Sequence, residues 1–316
     1  NFFVSFDFVM VNSIVSLLPS TTEIVCKLGF RNNLIGISHE CDYPHSIVGL
    51  PVLTKPNFSP EGSSIEIDNK VQQILRKGLS VYDVDSVLLR RLSPEIIITQ
   101  AQCEACAVSL KEVEEIVKNW TGNKTRILSL EPNKLNDVWL DFKKVASALD
   151  SPLSISEVNA EISERINILN DSLKVIKKKP TVLCIEWMDP IMVAGNWIPE
   201  LVEIAGGVNL IGESGHHSKV ILWDEIKESN PECIIFMPCG FNIKRTLKEV
   251  DLLQAKQGWK ELLAVKSEKV FVVDGNQYFN RPGPRLIDSV EILAEIFHEQ
   301  LFEKKYSNND SIVFKI

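Results

Sequence analysis

One βα pattern occurs twice in this chain, and that duplication limits the folds open to it more than any other feature. Residues 13–38 (SIVSLLPSTTEIVCKLGFRNNLIGIS) run through an apolar strand, a small-polar turn, an amphipathic helix, a glycine exit and a second apolar strand. Residues 181–212 (TVLCIEWMDPIMVAGNWIPELVEIAGGVNLIG) repeat that order. Two more pairs follow in the same succession. LSPEIIITQAQC at 92–103 matches SNPECIIFMPCG at 229–240, and KTRILSLEP at 124–132 matches SEKVFVVDGN at 267–276. The pattern predicts two similar α/β lobes with a cleft between them, and such clefts hold ligands.

A chain of 316 residues has room for two domains of ordinary size. The first lobe is expected over 10–135, with strands near 13–18, 34–38, 95–99 and 126–130. Each is a short continuous apolar run, as in a mostly parallel sheet covered on both faces. Helical patterns fall at 65–78 and 83–92. A helical connector is expected over 136–179, broken at Ser151-Pro152. Within it Ile155, Val158, Ile162, Ile166, Leu169, Leu173 and Ile176 recur at three- and four-residue steps, which marks one buried stripe on a long helix. No Gly/Ser-rich linker separates the halves, so a single stiff helix is expected to join them. The second lobe is expected over 180–303, and 304–316 reads as a tail.

The net charge of −8 argues against a nucleic-acid partner. The densest basic run, KVIKKKP at 174–180, suits a solvated helix end, where cations favour the helix dipole. No apolar run is long enough to suggest a membrane span. The first residues, NFFVSFDFVMVNS, carry Asp7 and lack a basic region and a small-residue cleavage site, so they read poorly as a leader, and Met10 is a possible start. Seven cysteines form no disulfide-scaffold spacing. Cys26, Cys184 and Cys233 sit among apolar neighbours as expected buried thiols, which suits a reducing compartment.

Ligands of open α/β sheets gather beyond the carboxyl ends of the strands. The residues that follow each strand therefore form a site list. The first lobe offers Ser20 and Thr21, then His39, Cys41 and Tyr43, then Gln100, Cys103 and Cys106. The second offers Trp187 and Trp197, then Cys239 and Phe241, then Tyr278, Phe279, Arg281 and Arg285. Ser20 to Glu23 fits a capping box, and the same helix end has N–H groups to offer an anionic ligand group. The aromatics suit a flat apolar ligand, or they belong to the lobe cores. Arg281 and Arg285 flank a Pro-Gly-Pro turn and either clamp ligand carboxylates or phosphates or form surface pairs. The Cys103-x-x-Cys106 pair can share a metal or act as redox thiols, with His39, Cys41 and Cys239 as further soft ligands; alternatively the two cysteines pack in a helix turn. His216-His217 reads as a solvated loop and Gly206-Gly207 as a helix C-cap. Trp120, Trp139 and Trp259 read as packing residues. No nucleophile elbow, Walker loop, zinc-protease or dinucleotide motif is present, so a binding role is expected rather than an enzyme. His39 and Glu186 are the only cleft groups suited to acid–base work.

The runs IVSLLPSTTEIVCKLG, GISHECDYP, SPEIIITQ, LVEIAGGVNL and NPECIIFMPCGF, with the mid-chain helix, resemble the helical-backbone class of ABC-importer substrate-binding proteins. The chain looks most like its vitamin B12-binding, iron-siderophore-related branch, over about 12–300. The resemblance implies two Rossmann-like lobes joined by one long helix, with a small-molecule ligand in the groove, a corrinoid (cobalamin-like) or other metal chelate. No obligatory cofactor is implied. The protein is expected to be a monomer that docks on an importer permease through acidic residues, Glu203 in the second lobe and Asp85 as the nearest acid in the first. The family works outside the cytoplasm. The free thiols and weak leader leave a cytosolic corrinoid- or metal-handling protein as the alternative.

Overall fold

Short β-branched runs pair in parallel at the heart of each repeat, and they do so in the same order. The computed structural model describes residues 11–101, 109–120, 124–309 and 312–316. Two compact units divide them. The first holds the described residues up to Ser59, then Val71–Glu131 and Trp139–Ala160; the second holds Pro60–Lys70, Pro132–Val138 and Glu161–Ile316.

In chain order the first half contains β1 (Ile14–Ser16), α1 (Pro19–Lys27), β2 (Leu34–Ile37), β3 (Thr54–Pro56), α2 (Ser64–Arg76) and β4 (Tyr82–Val84). It continues with α3 (Ser86–Leu92), β5 (Ile96–Gln100), α4 (Leu110–Lys118), β6 (Arg126–Leu130), α5 (Leu135–Ala148) and α6 (Pro152–Leu173). Among the described residues the sheet of the first unit has the order β2-β1-β5-β6, with every pairing parallel. Val15, Leu17 and Ile97 from its central strands pack with Leu53, Leu89 and Val113 in one apolar cluster.

The second half runs β7 (Thr181–Trp187), β8 (Met192–Val193), α7 (Ile198–Ile204), β9 (Val208–Asn209), β10 (Lys219–Val220), α8 (Trp223–Ser229) and β11 (Cys233–Phe236). It ends with α9 (Ile243–Leu247), α10 (Val250–Gln254), α11 (Leu263–Lys266), β12 (Val270–Val273), α12 (Leu286–Phe297) and β13 (Val313–Lys315). Its parallel strands follow the order β9-β7-β11-β12, which is the order of the first unit. Alternate residues explain why these strands read as unbroken apolar runs. Leu183, Ile185, Ile234, Phe236, Val270 and Val272 join one core cluster with Trp259, while Val182, Cys184, Ile235 and Val273, which point to the opposite face, are also buried. Fully burying a side chain of this size contributes roughly 1.5–3 kcal/mol, so both faces resist a register slip.

Several details depart from the sequence expectation. Residues 83–84, expected as the start of a helix, belong to β4, which pairs antiparallel with β3, and α3 begins only at Ser86. Antiparallel β8 and β10 extend the second sheet beside β7. The segment read as a tail contributes β13, paired antiparallel with β12. The capping box is absent: Leu18 is the N-cap of α1 and no side chain caps it, because the helix begins at Pro19, two residues before a Ser20 cap would start it. A proline at the first helical position has no N–H that needs a cap. Of the expected buried thiols, Cys184 and Cys233 are buried and Cys26 only half so.

The stripe on α6 is present: Val158, Ile162 and Leu169 are buried, and Ile155, Ile166 and Leu173 are half-buried, but the helix ends at Leu173, so Ile176, expected on the same stripe, lies beyond it. Its second half is fixed by Arg165, which donates to Asp288 (2.5 Å) and Glu291 (2.7 Å) on α12. Tyr306 donates its hydroxyl to the same two carboxylates, at 3.1 and 3.0 Å, and so ties the C-terminal segment to that helix.

The repeat extends to its helix stops. After α1 the Gly29 N–H donates to the Cys26 carbonyl and the Phe30 N–H to the Val25 carbonyl; after α7 Gly206 donates to Glu203 and Gly207 to Val202. Both are Schellman stops with glycine in the left-handed region, at φ +91° and +83°. The surroundings differ. A Cβ on Gly29 meets nothing within 4 Å, whereas one on Gly206 falls 2.7 Å from His298 Nε2 and 3.0 Å from Leu173. Gly29→Ala should therefore cost only the left-handed strain, about 1–2 kcal/mol. Gly206→Ala should cost measurably more in urea unfolding. Equal losses would mean that the His298 and Leu173 contacts relax freely.

Candidate ligand site

In the first unit the carboxyl end of β1 leads straight into α1. Thr21 and Thr22 both reach back to the buried Ser16 hydroxyl, at 2.5 and 2.8 Å, and Thr21 also donates to the Leu18 carbonyl at 3.1 Å. Thr22 lies 3.1 Å from the Cys41 sulfur, so the loops after β1 and β2 share one hydroxyl–thiol chain. Ser20 and Thr21 are buried. His39, half-buried after β2, has its Nδ1 2.7 Å from the Thr54 hydroxyl and its ring 5.4 Å from that of Tyr82. Burial pulls its pKa down, so the neutral imidazole is favoured at neutral pH. Tyr43 is exposed at 47%, and Gln100 ends β5 in a buried position.

In the second unit the loops after β7, β11 and β12 interlock. The Trp187 ring sits 5.1 Å from that of Phe241, and the Arg245 guanidinium lies over the Phe241 ring, 4.2 Å from its centroid. The Trp187 indole N–H is buried and finds no hydrogen-bond partner among the described residues. The Phe241 carbonyl accepts from the Asn276 N–H at 3.1 Å, and Arg281 donates to the Asn276 side chain at 3.1 Å. Arg281 and Arg285 are each only 7% exposed, so they are not the surface pairs that remained open from sequence. Arg285 lies 5.4 Å over the Tyr278 ring and donates to Gln277 at 3.4 Å. Asp274 caps the π-type turn Gly275–Phe279 by accepting from the Gln277 N–H at 2.8 Å. Burial raises the Asp274 pKa, and that N–H together with Arg281 and Arg285 opposes the rise.

Trp197 and Phe279 belong to the interior. Phe279 is completely buried, and Trp197, 5% exposed, donates its indole N–H to the Phe279 carbonyl at 2.9 Å. The open alternative of lobe core therefore applies to these two aromatics; Phe241 is buried as well, at 6% exposed, behind Trp187, while Trp187 and Tyr278 keep exposed surface. Trp259 is likewise a packing residue, stacked between Trp223 and Phe236. Cys103 and Cys106 lie outside the described residues. Among the described residues no group of three or more His, Cys, Asp or Glu is placed to hold a metal ion, so His39, Cys41 and Cys239 do not form such a site by themselves. Glu203 is exposed on α7, whereas the Asp85 carboxylate is engaged as the N-cap of α3, accepting from the Leu88 N–H at 2.8 Å. His216 and His217 lie exposed in a loop.

Glu186 was the sequence candidate for acid–base work, and its geometry is that of a tether. It accepts from the Ser218 hydroxyl at 2.7 Å and from the Gly195 backbone, holding the segment before β10 against β7. Burial raises its pKa more than these bonds lower it. A carboxyl whose pKa is higher folded than unfolded stabilises fully below the unfolded value and loses that contribution as pH rises through the folded value. Glu186→Gln should therefore gain stability relative to the parent as pH is raised from 4 to 7. A pH-independent difference in melting temperature would show that Glu186 ionises without cost.

Comparison with known proteins agrees with this architecture. The sequence pattern of the family described as Periplasmic binding protein matches residues 91–276. An uncharacterized ABC transporter substrate-binding lipoprotein of Bacillus subtilis is 23% identical over 298 residues, covering 92% of this chain and 81% of the relative. A vitamin B12-binding protein of Vibrio cholerae is 19% identical over 291 residues, covering 88% of this chain and 86% of the relative. A periplasmic heme-binding protein of Pseudomonas aeruginosa superposes with a TM-score of 0.69 at 17% identity, over 93% of this chain and 95% of its own. The chain belongs to the periplasmic binding protein family of ABC-transporter substrate-binding proteins.

Proposed function

We propose that this protein captures a metal-chelate macrocycle, a corrinoid first, and delivers it to an ABC importer permease from outside the cytoplasm. The observation that carries the reading is the wall built from Trp187 and Phe241, linked through Asn276 to the nine-tenths buried Arg281. A flat apolar ring system suits the aromatic part, and its peripheral carbonyl or anionic groups suit the cationic part. The similar proteins named for vitamin B12 and heme support this ligand class. Ser20, Thr21, His39, Tyr43 and Gln100 are proposed to contribute from the strand ends of the first unit. Cys103 and Cys106 remain proposed soft ligands, and Glu203 the proposed permease contact. The protein is proposed to act as a monomer outside the cytoplasm, a reading supported by its similarity to a substrate-binding lipoprotein of Bacillus subtilis. Among the described residues no helix is long and apolar enough to cross a membrane.

Tryptophan fluorescence during titration with cyanocobalamin, haemin and a ferric siderophore tests the ligand class, with saturable quenching by the corrinoid as the expected result. Binding of the siderophore alone would overturn the macrocycle reading. Trp187→Ala should weaken binding by about 1–3 kcal/mol with little loss of stability. Trp197→Ala should instead lower the melting temperature, because it empties a buried site and frees the Phe279 carbonyl. The reverse pattern would exchange the roles of the two tryptophans.

A further inference from the structure

The amino ends of the strands in the second sheet border an open surface pocket of about 290 Å³ that the proposed cargo site does not use. Pro180 immediately precedes β7, Cys233 opens β11, and Lys269 immediately precedes β12, while Ile296 and Phe297 close α12. The cargo loops leave the opposite ends of the same strands.

We propose that this pocket is a second small-molecule site, and that it takes a small amphipathic carboxylate. Its volume lies at the low end of the roughly 300–1,000 Å³ usual for ligand pockets, which restricts it to compact molecules. Leu263, Ile296 and Phe297 give it an apolar wall, to which Cys233 adds a thiol that burial keeps protonated. Its charged groups are Lys178 and Glu232, which pair with each other, and Lys269, which pairs with Glu299 from just outside the lining, so the charges there balance. Glu232 is already committed: it pairs with Lys178 and accepts from the Thr181 N–H at 3.0 Å, contacts that hold its pKa down. Lys269 pairs with Glu299, which is not part of the lining, and both side chains are about one-third exposed. An ion pair that open to water holds weakly, and an ammonium has three donors to share. The solvent-exposed Ser267 hydroxyl beside it makes no hydrogen bond to any described residue. One free hydroxyl, one shareable ammonium and an apolar wall together match a carboxylate head on a short hydrocarbon body.

The proposal is independent of the cargo reading, and octanoate is the probe. Calorimetric titration into the full chain should give saturable binding of one octanoate, with octanol binding at least about tenfold more weakly. Lys269→Met should weaken octanoate by a similar factor, and Leu263→Trp, at a position 38% exposed, should abolish binding by filling the pocket. In the parent protein, octanoate should also shift the methyl resonances of Ile296, a readout that needs no variant to fold. No saturation, equal binding by the parent and both variants, or an unmoved Ile296 would overturn the site. Octanol binding as tightly as octanoate would overturn recognition of the carboxylate.

Discussion

Everything else in this protein depends on the pairing of two central strands, β1 and β7, each with a parallel neighbour on both sides. A strand so placed has both edges hydrogen-bonded and both faces covered, so it has no freedom to slide. Its carboxyl end then becomes a fixed point. The chain must leave that point by a loop and return through a helix on one face, because parallel neighbours demand a crossover. The same helix stop, a left-handed glycine after α1 and after α7, aims the returning chain at the sheet in both units. Duplicate strand order and duplicate helix stops are one constraint expressed twice.

The strand-end loops inherit that rigidity, and they use it to hold groups that burial disfavours. Glu186 and Asp274 both carry raised pKa values, and each is steadied by backbone N–H groups close in sequence or space. Arg281 and Arg285 are buried cations set against Asp274, Asn276 and Gln277. Charges taken out of water are costly unless they are paired and hydrogen-bonded. Loops that carry them must be over-determined by their neighbours, as the contact from Phe241 to Asn276 illustrates. In the first unit the polar side chains at the strand ends are three hydroxyls and a thiol: Ser16 contacts Thr21 and Thr22, and Thr22 contacts Cys41. The capping box is absent for a separate reason: the helix starts at Pro19, so Ser20 already lies in its first turn and Leu18 holds the cap position.

The sequence by itself determined the repeat, the positions of the parallel strands and the buried stripe on the long helix. These are consequences of period and composition: continuous apolar runs of four or five residues must be buried on two faces, and a three-and-four spacing must be buried on one. It also determined which loops follow which strands, and so the roll of residues from which a ligand site is drawn. Only the tertiary structure decided which of those side chains turn inward. Trp187 and Trp197 are ten residues apart in similar surroundings, yet one keeps exposed surface and the other is sealed by a hydrogen bond to Phe279, which lies eighty-two residues away in sequence. The strands β4, β8, β10 and β13 were likewise decided late, because runs of two or three residues carry no periodic signal and become strands only when a partner edge is present. Local pattern reports what must be buried; the choice of what buries it belongs to contacts distant in sequence.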